Sequence, residues 1–207
     1  MRVRPISFSV LVAELADRIV ALGSSRLRVA IDAAPAAQPS VLADALVDPL
    51  RLRGRSVLRV SARDFLRPAS LRFEHGRADP DSYFEDWLDV NGLAREVLDP
   101  ADPAGTGAVL PSLWNADADR ASRASYVEVP PGGIVVLDGT LLLGRWLPFD
   151  LTVHLEMSPA ALLRRTPEDE RWTLPAFDRY RAEVEPGTVA DVVVKFDDPN
   201  HPAVTER

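Results

Sequence analysis

The stretch LRVAIDAAPAAQPS, residues 27–40, carries the change from a strand to a helix around which the rest of the chain is organised. Leucine, valine and isoleucine alternate over its first five positions, which is the period of a β-strand. Small residues follow at 33–38, and a proline then stands where the first turn of a helix tolerates it. A second strand is predicted at 56–61. Strand, loop, helix and strand thus fill about 35 residues, the size of a βαβ unit.

Three later segments are predicted to belong to the same sheet. Residues 134–137 form a near-continuous apolar run, which is typical of a parallel strand buried on both faces. Further strands are predicted at 151–156 and 189–196. Parallel strands need crossover connections, and helices are predicted at 9–22, 39–52, 81–98, 159–165 and 174–185. The pattern therefore predicts an α/β fold with a mainly parallel central sheet flanked by helices.

The domain organisation is predicted to be simple. The 207 residues suffice for one α/β domain, 1–207, with a sizeable core and a small lid. Within it we expect an N-terminal helix inside residues 1–25, a lid-like charged segment at 160–175 and a loose tail at 197–207. No internal repeat suggests a different architecture.

The composition excludes several classes of protein. The net charge of −7 argues against a nucleic-acid binder, which normally carries a basic face. The absence of cysteine excludes disulfides and thiolate metal sites, and no run of 18 apolar residues indicates a membrane span. Because the N-terminus lacks a signal-like segment, a cytoplasmic location is the expectation. A small-molecule ligand is compatible with this charge, and the sequence leaves a homodimer open.

The loop after the first strand has the position of a phosphate-binding loop. Such loops follow the pattern G-x-x-x-x-G-K-[ST], in which the glycines let backbone N–H groups face the phosphates and the lysine reaches the β- and γ-phosphates. In this register the glycines correspond to Ala33 and Gln38 and the lysine to Pro39, and only Ser40 matches. The loop is therefore a degenerate Walker A motif, which has lost most of its hydrogen-bond donors and its charge.

Five segments, taken in order, resemble the uridine kinase family of P-loop kinases. They are RVAID (28–32), VLRVSARDFLRP (57–68), RADPDSYFEDWLDVNGLAREVLDPADPAG (77–105), IVVLDGTLLL (134–143) and FDRYRAEVEPGTVADVVVKF (177–196). The resemblance covers most of the chain. It implies a three-layer P-loop NTPase fold with a small lid, ATP and Mg²⁺ as cofactors, and phosphoryl transfer to a nucleoside or a similar small alcohol.

The resemblance also implies contacts for the two cofactors. ATP would lie against the loop and the arginines of the lid region, namely Ala34, Ala36, Ala37, Gln38, Ser40, Arg164, Arg165 and Arg171. Ser40 and Asp138 would hold Mg²⁺ through oxygen ligands and water. An Asp-Gly pair at a strand end is also a common turn, and each of these arginines is also compatible with a solvated surface.

The substrate contacts implied by the resemblance are Arg72, Tyr83 and Phe84. The guanidinium of an arginine suits phosphate oxygens, and the aromatic rings could stack on a base. Their position on a predicted helix is equally compatible with the hydrophobic core. His154 has no metal-like spacing to the other histidines and is interpreted as a structural residue of its strand.

The acceptor side of the predicted site is altered as well. In the family, the first acid of an Asp-Asp-Phe or Asp-Ser-Phe motif accepts the proton of the sugar hydroxyl, and here Arg63 holds that position and Asp64 the next. Adjacent residues of a strand point to opposite faces. Asp64 would therefore serve as the base only if the end of the strand shifts or bulges.

Two functional hypotheses remain open from the sequence. The first is an ATP-dependent kinase, with Asp64 and Arg63 as the catalytic pair and a nucleoside or nucleotide as its partner. The second is a catalytically impaired pseudokinase that binds a nucleoside, a nucleotide or a partner protein. The substitutions in the loop and at the base position favour the second.

Overall fold

The computed structural model describes residues 2–23 and 25–206 and contains a seven-stranded, mainly parallel sheet. In chain order its strands are β1 (Arg2–Pro5), β2 (Leu27–Ala33), β3 (Val57–Ser61), β4 (Ile134–Gly139), β5 (Leu151–Glu156), β6 (Val192–Lys195) and β7 (Ala203–Glu206). Their order across the sheet is β1-β7-β6-β5-β2-β4-β3. The five strands from β6 to β3 are parallel, and β7 pairs antiparallel with both of its neighbours.

Helices cover both faces of this sheet. They are α1 (Phe8–Ala21), α2 (Pro39–Ala45), α3 (Val47–Leu52), α4 (Ala69–Arg72), α5 (Pro80–Glu85), α6 (Val90–Leu93), α7 (Pro159–Arg165), α8 (Leu174–Glu183) and α9 (Pro186–Val189). A π-helical turn, Ala94–Leu98, continues α6. The α/β fold with a mainly parallel sheet that the sequence predicts is confirmed.

The central strand β2 is buried along its whole length. Val29 and Ile31 pack into the larger hydrophobic cluster, which includes the apolar faces of α1, α2 and α8. Ala30 faces the second cluster on the opposite side of the sheet, which contains Phe65 and Leu93. The sheet is therefore the middle of three layers, and the segment that leaves β2 emerges at its carboxyl edge.

The first and last segments of the chain correct two predictions. The helix expected within residues 1–25 is present as α1, but β1 precedes it. The tail expected to be loose contains β7, whose residues pair with β1 from Arg2↔Glu206 to Pro5↔Ala203. The segment is too short and too polar to stand out as a strand, and it is ordered by backbone hydrogen bonding to the two strands beside it.

The helix predicted at 81–98 is interrupted in its middle. The chain leaves helical geometry after α5 because its backbone pairs with the segment that follows β3. The backbone N–H of Arg67 donates to the Trp87 carbonyl, and the backbone N–H of Asp89 donates to the Phe65 carbonyl. Asp89 then caps α6 by accepting a hydrogen bond from the Gly92 N–H. A tertiary contact thus overrides the continuous helical pattern.

The helix predicted at 39–52 is divided into α2 and α3, and other predicted elements differ in their ends. The predicted strand at 189–196 begins only at Val192, since α9 occupies the preceding residues. The predicted lid segment contains the end of α7 and a 3₁₀ helix, Glu168–Thr173. Among residues 2–23 and 25–206, no helix is long and apolar enough to cross a membrane.

Removal of β7 tests whether the tail is structural. A chain that ends at residue 202 should unfold at a lower temperature, because it exposes the backbone groups of β1 and β6 that β7 satisfies. For a protein of this size each 1 kcal/mol corresponds to roughly 2–4 °C in Tm, and differential scanning calorimetry would measure the shift. A Tm equal to that of the full chain would support the loose tail instead.

Candidate functional site

A cleft of about 580 Å³ lies at the carboxyl edge of the parallel strands, where α/β sheets bind ligands. Its walls come from five segments: the loop after β2, the end of β3, α5 and the turn after it, the end of β4, and the 3₁₀ helix of the lid. The side chains that line it are those of Pro35, Gln38, Pro39, Ser40, Ser61, Ala62, Arg63, Leu66, Tyr83, Trp87, Leu88, Asp138, Thr140, Leu141, Arg145, Glu170, Trp172 and Thr173. The cleft therefore brings together the loop, the altered base segment and the lid.

The loop after β2 folds into a tight turn. Residues Pro35–Ala37 form one turn of 3₁₀ helix, and Gln38 then adopts a left-handed conformation with φ of 53° and ψ of 60°. Pro39 begins α2 directly afterwards. The transition from strand to helix that the sequence predicts is present, but a glutamine occupies a backbone conformation that suits glycine.

Few N–H groups of this loop are available to an anion. Pro35 and Pro39 have none. Ala37 donates to the Ala34 carbonyl and Gln38 to the Pro35 carbonyl, both at 2.9 Å. Four donors of a working loop are thus absent or bonded within the turn, at positions 35, 37, 38 and 39.

Asp138 ends the buried strand β4 and is 5% exposed. Its Oδ1 accepts a hydrogen bond from Arg59 Nη2 at 2.8 Å, and its Oδ2 accepts one from Ser61 Oγ at 3.4 Å. Arg59 also donates through Nε to Asp44 on α2 at 2.7 Å. The carboxylate that the sequence assigns to Mg²⁺ is therefore neutralised by an arginine of the neighbouring strand.

The guanidinium of Arg59 is held on all sides. Its Nη1 donates to the carbonyls of Val60 and Val136, at 3.0 and 2.9 Å, in addition to the two carboxylates. Such a network fixes the charge in place, because every donor group of the fork has an acceptor. Arg59 is consequently a built-in cation beside Asp138.

The donor set does not fit a magnesium site in this arrangement. Ser40 and Asp138 both line the cleft, but both oxygens of Asp138 already accept protein hydrogen bonds. A divalent ion at Asp138 would also lie next to the positive charge of Arg59. The described residues contain no group of three or more acidic or histidine side chains that could hold a metal ion.

The base segment turns away from strand geometry. Residues Ala62–Phe65 form a 3₁₀ helix, so the alternation of faces expected for a strand does not apply to Arg63 and Asp64. Arg63 lines the cleft and forms an ion pair with the exposed Asp117. Asp64 lies near the Ser112 side chain and does not line the cleft.

The environment of Asp64 disfavours its charged form. Burial raises the pKa of Asp64, and the negative charge of Asp138 raises it further. The nearby Ser112 side chain and the charge of Arg63 oppose this shift. Asp64 is thus a carboxyl group whose proton affinity is increased by its surroundings, as a general base often requires.

An aromatic wall closes the side of the cleft next to the lid. Tyr83, Trp87 and Trp172 contact one another with ring centroids 4.9 to 5.6 Å apart. Burial raises the pKa of the Tyr83 hydroxyl. The indole Nε1 of Trp87 is buried without a hydrogen-bond partner. The rings meet edge-on or tilted, with interplanar angles of 50° to 78°, and together form an apolar wall against which a base could pack.

Comparisons with known proteins find similarity only among solved structures. No protein-family model matches the sequence, and no curated protein matches it either. Among solved structures, a possible uridine kinase from Bacillus stearothermophilus is similar to this chain, with 23% sequence identity and a TM-score of 0.71. The alignment covers 88% of this chain and 96% of that protein's chain. A protein assigned as a fructose transport system kinase from Silicibacter sp. TM1040 matches 91% of this chain and 98% of its own, with 20% identity and a TM-score of 0.65.

The chain has the fold of the P-loop kinases. Within this fold, several residues that the sequence assigns to the site lie outside the cleft. Ala36 and Ala37 belong to the loop but do not line the cleft, and Ala34 lines a separate cavity of about 270 Å³ beside β5 and α8. Gln38, Ser40, Tyr83 and Asp138 line the cleft.

The predicted phosphate and substrate arginines also lie apart from the cleft. Arg72 is buried below the turn, where it donates to the carbonyls of Arg67 and Ala116. Arg164 and Arg171 are exposed, and Arg165 donates to the Phe196 carbonyl. Phe84 points into the hydrophobic core. In the P-loop kinase fold of this chain, these residues stabilise the framework or contact solvent.

The structure adds residues to the cleft that the sequence analysis does not single out. They are Arg145, Trp172 and Thr140, together with Arg59 behind Asp138. Arg145 and Thr140 follow the Asp-Gly pair that ends β4, so their place after a strand of the P-loop kinase fold was a usable signal. Arg59 could not be recognised, because its pairing depends on the register of β3 with β4.

A buried network supports the floor of the cleft. Asp32, near the end of β2, accepts hydrogen bonds from the Leu142 N–H at 2.8 Å, from His154 Nδ1 at 2.7 Å and from the Tyr180 hydroxyl at 3.0 Å. Tyr180 in turn accepts a bond from the Leu143 N–H. His154 thus serves the interior of the fold, in agreement with its structural interpretation.

The left-handed Gln38 provides a matched test of loop strain. Replacement by glycine should stabilise the protein by about 1 kcal/mol relative to replacement by alanine, because only alanine keeps a Cβ at this φ. Both variants lose the same side chain, so the comparison isolates the backbone effect. Equilibrium unfolding in urea measures the difference, and equal stabilities would show that the left-handed conformation is not maintained in solution.

The raised pKa of Asp64 predicts a pH-dependent effect. Because the folded pKa lies above that of the unfolded chain, ionisation of Asp64 costs stability at neutral pH. Asp64→Asn should therefore raise the Tm at pH 7, and the gain should shrink as the pH falls through the raised folded pKa. Thermal unfolding between pH 4 and pH 7 measures this, with exposed Asp48→Asn as the control. A gain that is constant with pH would contradict the assigned shift.

Proposed function

We propose that the cleft binds a nucleoside or a nucleotide, and that the chain is catalytically impaired compared with the kinases whose fold it has. The observation that carries the second part is the loop, in which the N–H groups of Ala37 and Gln38 are bonded within the loop and two prolines remove further donors. The remaining features of the cleft support binding.

The size and the walls of the cleft suit a base. Its volume of about 580 Å³ lies within the range of about 300–1,000 Å³ that small-molecule sites occupy. Tyr83, Trp87 and Trp172 form an apolar wall, and stacking of a base on an aromatic ring contributes roughly 1–3 kcal/mol. Ser61 and Thr140 line the same cleft; their hydroxyl protons are bonded to Asp138 and to the Ala33 carbonyl, so their oxygens can serve a polar ligand as acceptors.

The chemistry of phosphoryl transfer lacks its usual support. In this reaction the protein contributes mainly positioning and stabilisation of charge. Pro39 supplies neither an ammonium group nor an N–H, and each missing donor of this kind costs roughly 3–4 kcal/mol of transition-state stabilisation. ATP and Mg²⁺ would be cofactors only if this deficit were made up elsewhere, and Asp138 is already paired with Arg59.

A second candidate function is phosphoryl transfer with Asp64 as the general base. The increased proton affinity of Asp64 favours it, since a base must take up a proton near neutral pH. Arg63, which lines the cleft, would be the second catalytic residue in this hypothesis. This function needs Asp64 to leave the Ser112 hydroxyl and turn toward the ligand.

The acceptor is proposed by analogy with the two solved proteins. One is a possible uridine kinase and the other is assigned as a fructose transport system kinase. The aromatic wall favours uridine or another nucleoside over a sugar, because a sugar ring gains less from three aromatic side chains on one side of the cleft. Cytoplasmic location, homodimer formation and the single domain stay predictions of the sequence.

Tryptophan fluorescence tests ligand binding directly. Addition of uridine, cytidine, UMP or ADP should quench the emission of Trp87 and Trp172, whereas fructose should not. Trp172→Leu should weaken nucleoside binding by at least tenfold, because it removes one side of the wall. Trp146→Leu is the matched control, since Trp146 is 99% exposed and lies outside the cleft.

The outcomes of this titration separate ligand binding in the cleft from binding elsewhere and from catalysis. A nucleoside Kd that is unchanged in Trp172→Leu would place the ligand elsewhere, since Trp87 still reports binding in that variant. No response to any nucleoside or nucleotide would reject the proposed function. Transfer from Mg-ATP to one of these compounds, measured with labelled phosphate and abolished by Asp64→Asn, would replace the impaired assignment by the second candidate.

A further inference from the structure

The charged side chains that line the cleft, Arg63, Asp138, Arg145 and Glu170, differ in whether an ion pair compensates them. Arg63 pairs with Asp117, and Asp138 pairs with Arg59. Arg145 is half-buried in the wall and has no carboxylate of the described residues within ion-pair distance. The cleft therefore contains a neutralised acid at the end of β4, an arginine without an ion pair a few residues further along the chain, and the exposed carboxylate of Glu170 on the lid.

From this pattern we propose that Arg59 takes the place of a divalent cation at the sheet edge, and that the cleft binds a phosphate group free of metal, with Arg145 as its contact. Inorganic phosphate and a nucleoside monophosphate are the two sources of such a group. The second source rests on the proposed function, because the base would lie on the aromatic wall. The first does not depend on it.

The geometry of Arg59 supports the first half of the proposal. The guanidinium lies 2.8 Å from Asp138 Oδ1 and 2.7 Å from Asp44 Oδ1, and its remaining donors are bound to two carbonyls. A metal ion at Asp138 would have to displace a buried, hydrogen-bonded ion pair. It would also leave the charge of Arg59 unpaired on that side, which is costly within a protein.

The surroundings of Arg145 support the second half. Its Nε donates to the Leu141 carbonyl at 2.6 Å, and its Nη2 donates to the Phe84 carbonyl. Carbonyls orient the guanidinium without neutralising it. Burial lowers the pKa of Arg145, with the charge of Glu85 acting in the opposite direction, yet an arginine keeps its proton at neutral pH. An anion is the group that would compensate this charge.

The chemical class of the ligand follows from the same contacts. A guanidinium fork binds phosphate oxygens in a planar, bidentate manner. Pro35 and Pro39 have no N–H, and those of Ala37 and Gln38 are bonded within the turn, so a single phosphate group is favoured over ATP. The exposed carboxylate of Glu170 on the lid also disfavours a highly charged ligand.

Manganese binding tests the role of Arg59 in the protein without any other ligand. Mn²⁺ binding is measured by water-proton relaxation. The wild type and Asp138→Asn should give the same result, because the wild type has no Mn²⁺ site at Asp138. Arg59→Gln should gain such a site, because it frees the carboxylate, and Arg59→Gln with Asp138→Asn should lose it again. Arg59→Lys, which keeps the charge, should behave like the wild type.

Two results would overturn this half of the proposal. One is a wild-type Mn²⁺ site that depends on Asp138. The other is a folded Arg59→Gln variant that gains no Mn²⁺ binding, since Arg59 would then not be what excludes the metal. The wild-type measurement alone remains decisive if Arg59→Gln does not fold.

Phosphate binding tests the role of Arg145. Calorimetric titration with inorganic phosphate and with UMP should give the same Kd in EDTA and in MgCl₂. Arg145→Met should weaken the binding of phosphate and of UMP by at least tenfold, and Arg145→Lys should weaken it less. Arg51 is an exposed arginine on α3, so Arg51→Gln should leave both affinities unchanged. Circular dichroism verifies that each variant is folded.

The outcomes separate this inference from the proposed function. Binding that requires Mg²⁺, or that is unchanged in Arg145→Met, overturns the inference even if uridine still quenches the tryptophans. Phosphate binding that depends on Arg145 without any response to nucleosides upholds the anion site and rejects the nucleoside ligand. Absence of binding by both phosphate and UMP overturns the anion site.

Discussion

The carboxylate of Asp32 is the interaction on which the floor of the cleft depends. It is fully buried, and it accepts hydrogen bonds from the segment after β4, from His154 on β5 and from Tyr180 on α8. A buried carboxylate is tolerated only when its oxygens are well bonded. One side chain at the end of β2 thus fixes three other elements relative to the loop that follows.

This arrangement explains how the cleft keeps its shape while its loop departs from the usual chemistry. The bonds of Asp32 hold the strand end from below, so the loop above need not be stabilised by a bound phosphate. Residues 33–40 can then satisfy their own hydrogen bonds in a turn. The framework and the ligand-binding donors are separate parts of this site, and only the donors differ from the working motif.

The sequence predicts the framework well and the site less well, for physical reasons. Buried strands such as β4 are evident from apolar runs, and the loop lies where the strand-to-helix pattern puts it. The break before α6 and the pairing of β7 depend on contacts between distant segments, which local patterns do not contain. The ion pair of Arg59 is hidden for the same reason, since the side chain meets Asp138 only through the register of two strands.

The turn at Pro35 to Pro39 also restricts how such a loop could change over generations. A lysine at position 39 would supply a charge, but Ala37 and Gln38 would still donate to carbonyls of the turn. A glycine at 38 would relieve the left-handed residue without adding any charge. No single substitution therefore restores both the charge and the free N–H groups of the motif. Several would have to arise together, and selection acting on one residue at a time would tend to keep the chain in its present form.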